Sequence, residues 1–243
     1  MNNSRGLHSL AGLVLIASLP ALSVAGSFAV NPVRLSLSAE RFVDAISVSN
    51  QGAQDAVLQV ETTAWTQSDG QDVYTATNEL LVNPPIFTVP AGGTQIVRVG
   101  LTGALDPQRE RAYRVFFQEV PSLPEPGFKG LRVLLRIGVP VFVEPSTQAI
   151  PILNWQAKLS ATSTLNIVAT NIGNAHVRIV QLRVSSVDGR TLATRTLSDP
   201  VLAEQSRAWV LDLDPPPGNR GIRIVADTSE GKMESGVIDL VPK

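Results

Sequence analysis

A run of alternating apolar residues in the middle of the chain predicts a long β-strand. Every second side chain from residue 131 to residue 143 is apolar: Leu131, Val133, Leu135, Ile137, Val139, Val141 and Val143. Successive side chains of a strand point to opposite faces, so these residues share one face. One interpretation is a core strand of an antiparallel sandwich. The other is an edge strand, which Pro140 favours for part of the run because proline cannot donate to a hydrogen-bond ladder.

The edge interpretation has a functional consequence. An exposed apolar edge is an aggregation hazard, and proteins usually blunt or cover it. A chain that keeps such an edge can use it to pair with a strand of a partner.

Shorter strand patterns bounded by turn residues account for the rest of the chain. They are predicted near residues 33–38, 44–50, 56–65, 94–100 and 111–120, and again near 155–159, 164–171, 177–186, 190–197, 207–213, 221–227 and 236–241. No pattern predicts a helix of ordinary length. The predicted fold class is therefore all-β, with two immunoglobulin-like sandwiches in tandem. Residues 145–151 are interpreted as the linker, which gives domains at 26–145 and 146–243.

The N-terminus has the pattern of a secretory signal peptide. Arg5 precedes an apolar stretch from residue 10 to residue 22, and the small residues Ser23 and Ala25 follow. The stretch is shorter than the ~20 residues that span a bilayer and contains Pro20. We expect cleavage after Ala25, export to the periplasm and no stable insertion in the membrane. The chain has no cysteine, so its stability must come from packing.

Composition argues against several functional classes. The net charge is −1 and only 5% of the residues are aromatic, so neither a basic field nor a stacking surface for nucleic acid is predicted. The only histidines are His8, in the signal peptide, and His176, which follows a turn and is interpreted as a surface residue. Paired carboxylates such as Asp212 and Asp214 lie beside turns, which is typical of solvated side chains. We therefore expect no enzyme activity, no metal and no cofactor.

Several segments of the first half carry a family resemblance. They are Val33-Arg34, NPP at 83–85 followed by VPAGG at 89–93, YRVFFQEVP at 113–121 and RIGVPVFV at 136–143. In order and spacing they resemble the periplasmic chaperones of the chaperone–usher pilus pathway. The second half matches that family only in its strand content.

The resemblance implies a mechanism. Such chaperones bind pilus (fimbrial) subunits, which are sandwiches that lack their last strand, and deliver them to an outer-membrane usher. The long strand would fill the gap and present Leu131, Val133, Leu135 and Ile137 to the groove of the subunit. The subunit would later exchange this strand for the N-terminal extension of the next subunit, so no nucleotide is implied.

The resemblance also implies a basic anchor for the C-terminal carboxylate of the subunit. Arg34 matches the first basic residue of the family's pair. Pro140 stands where the second, a lysine, is usual, so Arg136 and Arg114 are the candidates to replace it.

The family's inter-domain charge cluster is matched only in part. Glu119 matches its acidic member, whereas Glu144 stands where an arginine is expected.

Two other classes of protein stay open at this stage. A secreted sandwich that acts as an adhesin or glycan-binding module would be favoured by aromatic residues clustered on loops, and few are present. A pilus subunit would have one incomplete sandwich, whereas this sequence predicts two. Whether the free chaperone associates with itself is also open.

Overall fold

A computed structural model of the protein describes residues 27–121, 133–160, 163–217 and 221–240 of the chain. The predicted signal peptide and Leu131 lie outside these ranges. No helix occurs within them, so no described segment could cross a membrane as a helix.

Two sheets form a first sandwich. Its strands are β1 (Phe28–Asn31), β2 (Leu35–Leu37), β3 (Val43–Asn50), β4 (Ala56–Ser68), β5 (Gln71–Ala76), β6 (Leu80–Asn83), β7 (Ile86–Val89), β8 (Thr94–Leu101), β9 (Arg111–Val120) and β10 (Arg136–Val143). One sheet has the order β1-β3-β8-β6 and the other the order β2-β10-β9-β4-β5, with β7 also paired to β4. Alternate aliphatic and aromatic side chains of these strands fill the space between the sheets.

A second sandwich follows. Its strands are β11 (Leu153–Leu159), β12 (Thr164–Asn171), β13 (Val177–Ser186), β14 (Thr191–Val201), β15 (Ser206–Asp212), β16 (Ile222–Thr228) and β17 (Gly231–Glu234). They form a sheet β11-β12-β15 and a sheet β14-β13-β16-β17, which enclose a core of their own. The predicted all-β fold with two tandem sandwiches is confirmed.

The long strand is shorter than the sequence pattern predicted. It begins at Arg136, and residues 133–135 are not assigned to a strand. The last backbone hydrogen bond to β9 (Arg111–Val120) joins the Glu119 N–H to the Leu135 carbonyl at 2.9 Å, so the regular pairing of the two strands stops there.

The strand predicted near residues 33–38 corresponds to β2, and a separate strand, β1, precedes it. β1 pairs with β3 in one sheet, whereas β2 pairs with β10 in the other. The chain therefore crosses between the sheets at residues 32–34, and Arg34 stands at the start of the second strand.

A buried asparagine fastens the second sandwich at the end of β12. Asn171 is fully buried, and its amide group donates to the carbonyls of Ala175 (2.7 Å) and Val201 (3.1 Å). Its Oδ1 accepts from the N–H groups of Ile152 (3.1 Å) and Gly173 (3.0 Å). Because the four hydrogen bonds tie three segments together, no apolar residue of similar size can replace this side chain.

We predict that Asn171→Ala lowers the free energy of unfolding by on the order of 3 kcal/mol, because buried backbone groups lose their partners. Urea unfolding followed by tryptophan fluorescence measures the change. Asn166→Ala, on the same strand but half-exposed, is the control and should change the value by less than about 0.5 kcal/mol. Equal effects of the two substitutions would contradict the role given to Asn171.

Candidate functional site

The edge of β10 is covered over only part of its length. On one side the whole strand pairs with β9 in antiparallel fashion. On the other side β2 pairs with it in parallel, and only at residues 141–143. Within the described chain the backbone upstream of Val141 has no partner on that side, and Pro140 stands where the covered part begins.

The aliphatic face of this strand leads from the core into solvent. Val141 and Val139 are buried in the first sandwich, and Ile137 packs partly buried against the same core. Leu135 is half-buried, and Val133 is 42% exposed. One face of the strand therefore forms core at Val139 and Val141 and an accessible apolar surface at Val133 and Leu135.

Two arginines flank Pro140 on the outer face of this sheet. Pro140 is opposite Arg114 in the β9–β10 register. Leu35 is opposite Val141, so Arg34, one residue earlier, comes beside Pro140 from the other side. Leu35 faces the core, and the alternation of a strand puts Arg34 on the outer face with Arg114.

The two candidate helpers of Arg34 have different surroundings. The guanidinium of Arg114 lies over the rings of Trp65 and Tyr74, with its Cζ atom 4.4 and 5.6 Å from their centroids. No carboxylate of the described residues lies within 4.0 Å of it, and its buried Nε has no acceptor there. Arg136 instead forms an ion pair of 2.8 Å with Glu61. Arg114 is thus the helper whose charge is uncommitted.

The first sandwich carries the sequence signature of a known family. Residues 27–149, just over half of the chain, match the family described as "Pili and flagellar-assembly chaperone, PapD N-terminal domain". The chain belongs to this family of pilus-assembly chaperones. The open edge of β10 and the arginines beside it lie within the matched residues.

Solved structures of such chaperones share the fold of both sandwiches. A chain of the CsuC–CsuE chaperone–tip adhesion subunit pre-assembly complex of Acinetobacter baumannii superposes with a TM-score of 0.66 at 19% identity, covering 89% of this chaperone and 100% of that chain. The Salmonella enterica SafA pilin–SafB chaperone complex gives 0.58 at 21% identity, covering 92% and 99%. The E. coli chaperone DraB gives 0.57 at 16% identity, covering 91% and 99%. No curated protein sequence matches significantly.

The far end of β10 lies against the second sandwich of the chaperone. Phe142 is buried and stacks on His176, with ring centroids 3.6 Å apart and planes 4° from parallel. The His176 Nδ1 lies 2.8 and 2.9 Å from the two carboxylate oxygens of Glu110. The prediction that His176 is a surface residue is wrong: its side chain is only 15% exposed. The sequence could not show this, because Phe142 and Glu110 belong to the other sandwich.

The β4–β5 hairpin also reaches the second sandwich. The Gln67 side chain donates to the Pro200 carbonyl (2.9 Å) and accepts from the Leu202 N–H (3.1 Å), and Asp72 pairs with Arg207. Together with the Glu110–His176 contact, these polar groups join the two sandwiches.

Glu119, which the family resemblance assigned to the inter-domain cluster, lies elsewhere. Its carboxylate accepts from the N–H of Leu135 at 3.2 Å, at the beginning of β10. Glu119 therefore fixes the point at which the chain leaves the sheet.

A buried phenol completes the polar contacts of the first sandwich near this interface. Tyr113 donates to Glu79 at 2.6 Å, and Arg111 lies 3.1 Å from the same carboxylate. Burial, followed by the hydrogen bond to Glu79, raises the pKa of Tyr113 to about 12. The phenol is protonated at neutral pH and acts as a hydrogen-bond donor.

Over the described ranges, no three His, Asp or Glu side chains are grouped to hold a metal ion.

Proposed function

We propose that this chaperone binds pilus subunits by donating the open edge of β10 to an incomplete subunit sandwich. The observation that carries the proposal is the unpaired backbone upstream of Val141, together with the aliphatic face that emerges there. Leu135 and Val133 are accessible on the face that further along forms the core. Ile137 lies between the accessible and the buried residues of this face. In the sequence, Leu131 continues the same alternation, but it lies outside the described residues.

The physical basis is mutual protection of two exposed surfaces. A sandwich that lacks a strand exposes unpaired N–H and C=O groups and an apolar groove, both of which promote aggregation. Adding a strand from the chaperone supplies hydrogen bonds to the backbone and aliphatic side chains to the groove. The same contact covers the apolar edge of the chaperone, so neither protein is left with an adhesive surface.

The position of β2 supports a specific end point for the proposed subunit strand. β2 runs parallel to β10 and occupies its edge from Val141 onward. A subunit strand that adds to the free part in the same direction must therefore end near Pro140. Its terminal carboxylate would then reach the row formed by Arg34, Pro140 and Arg114.

We assign Arg34 and Arg114 to the binding of this carboxylate. A guanidinium binds a carboxylate through two parallel hydrogen bonds, and the pairing is strongest where water is excluded. Arg136 remains the alternative helper, but its ion pair with Glu61 would have to be given up first.

We also propose that the chain is exported to the periplasm and hands its subunit to an outer-membrane usher. Removal of residues 1–25 would leave a chaperone domain at 26–145 and a second domain at 146–243. Intact mass spectrometry of the exported protein checks the first step: the mature chain should begin at Gly26, and retention of residues 10–22 would contradict it.

Leu135→Glu should abolish co-purification of a pilus subunit from the same genome. A charge at this position cannot enter an apolar groove, whereas the half-exposed site tolerates it in the free chaperone, so thermal unfolding should be nearly unchanged. Ile96→Glu is the matched control, because Ile96 is 55% exposed on the other sheet. If the Leu135 variant unfolds or fails to accumulate, Leu135 belongs to the core and the assignment is wrong.

Arg34→Ala and Arg114→Ala should each weaken subunit binding by more than tenfold, since losing one partner of a buried charge pair costs on the order of 2–5 kcal/mol. Arg34→Lys should restore binding in part, and Arg136→Ala should have the smallest effect. Titration of the purified subunit measures the affinities, with the exposed Arg98→Ala as control.

The carboxylate assignment fails at its main residue if Arg34→Ala leaves subunit levels and affinity untouched. An effect of Arg136→Ala larger than that of Arg114→Ala would exchange the roles of the two helpers. An effect of Arg34→Ala alone would mean that one charge holds the carboxylate.

A further inference from the structure

We propose that Gly138, acting with Trp65 and Tyr74, positions Arg114 for the C-terminal carboxylate of the subunit. This positioning would make the chaperone select subunits whose C-terminal carboxylate lies at the end of the bound strand. This inference rests on the proposed function and names residues that act through Arg114. None of their side chains is assigned a contact with the subunit, although the backbone of Gly138 belongs to the open edge of β10.

Gly138 is required for space rather than for backbone freedom. It has no positive φ, unlike Gly70, Gly92, Gly189 and Gly231. A Cβ atom at residue 138 would lie 2.8 Å from the Cε1 and 3.1 Å from the Cδ1 of Phe116, and 3.1 Å from the Cδ of Arg114. Even an alanine here would therefore press on the stem of Arg114 and on the ring beside it.

The cross-strand register explains why both side chains meet this glycine. Phe116 is directly opposite Gly138 in the β9–β10 pair, and Arg114 is opposite Pro140 on the same face. Both side chains fit over β10 because residue 138 has no side chain of its own. Phe116 is only 8% exposed, although it lies on the outer face of the sheet.

Aromatic rings hold Arg114 from its other side. Its guanidinium lies over Trp65, and Tyr74 meets the ring of Phe116 edge-on, with centroids 5.4 Å apart and planes at 88°. Trp65 is almost fully buried between the sandwiches, so this support is fixed. A displacement of Phe116 would disturb Tyr74 and the stem of Arg114 together.

Stacking on aromatic rings leaves the hydrogen-bond donors of the Arg114 guanidinium available to a ligand. Stacking uses the faces of the guanidinium, whereas its N–H groups lie in the plane. The Nε of Arg114 is buried, so its terminal nitrogens, which have no carboxylate partner among the described residues, are the groups that can bind a carboxylate. Arg136 also lies over an aromatic ring, with its Cζ atom 3.9 Å from the centroid of Phe116, but one of its terminal nitrogens is already paired with Glu61. A lysine at 114 would lack both the planar face and the fork of donors, so Arg114→Lys should behave like Arg114→Ala.

The test compares two forms of one probe, a pilus subunit from the same genome with its native C-terminus or with a short Gly-Ser extension that moves the carboxylate away. Wild-type chaperone should bind the native form more than tenfold better, as expected for loss of a charge-assisted contact. Gly138→Ala should reduce this ratio to less than about threefold while binding of the extended form is retained. Gly236→Ala, where nothing lies within 4 Å of the added Cβ, should keep the wild-type ratio.

A second variant separates positioning from general damage. Phe116→Leu removes the ring atoms nearest to residue 138, so Gly138→Ala should reduce the ratio less in that background than in the wild type. Independent, additive effects would overturn the positioning role, as would a Gly138→Ala chaperone that keeps the wild-type ratio. A fall in affinity for both probe forms by the same factor would also overturn it, because that result indicates a damaged fold.

The wild-type protein distinguishes failure of this inference from failure of the proposed function. If it binds neither form, the proposed subunit-binding function is wrong. If it binds both forms equally, the strand contact stands but the carboxylate anchor is wrong. If the wild type discriminates between the two forms, and Gly138→Ala either discriminates equally well or acts additively with Phe116→Leu, the positioning role alone is rejected.

Discussion

Among the residues that the structure describes, the backbone of β10 has no partner on one side upstream of Val141, and the other features of the first sandwich are arranged around that constraint. β9 supplies hydrogen bonds along one side, but β2 covers only the last three residues of the other. An edge of this kind promotes aggregation unless something covers it. The aliphatic residues beside it continue the face that fills the core from Ile137 onward, so the exposed edge also carries an apolar surface. The subunit strand that we propose as the partner would cover both the unpaired backbone and the apolar surface.

β10 also connects the binding edge to the second sandwich. Its inward side chains belong to the core, whereas Gly138 and Pro140, on the outer face, leave room for the arginines. Phe142, on the same outer face, enters the interface and stacks on His176. The polar contacts of Glu110 and Gln67 then hold the two sandwiches together. One strand therefore contributes to the core, to the open edge beside the arginines and to the contact between the sandwiches. Substitutions in it are expected to affect both stability and the proposed subunit binding.

The sequence predicted the elements whose patterns are local. Period-two alternation and turn residues predicted most of the strands of both sandwiches. They missed β5, β6 and β17, and the strand predicted at 236–241 is reduced, within the described residues, to an isolated bridge at Ile238. Pro140 indicated an edge, and among the described residues part of β10 is unpaired on one side. The true start of β10 was missed, because it depends on where β9 ends and thus on a pairing distant in sequence. The burial of His176 was missed for the same reason, since the residues that cover it come from the other sandwich. Gly138 carried no local signal: its role appears only when Phe116 and Arg114 are seen to lie across it.

Hydrogen exchange along β10 tests the central claim most directly. Backbone amides of residues 133–139 should exchange rapidly in the free chaperone where they have no partner, and should become strongly protected when a pilus subunit from the same genome is bound. The outermost strands of the two sheets of the second sandwich, β11 and β14, should exchange equally in both states. Formation of a stable complex without protection at 133–139, or with protection at β11 or β14 instead, would contradict strand donation from β10.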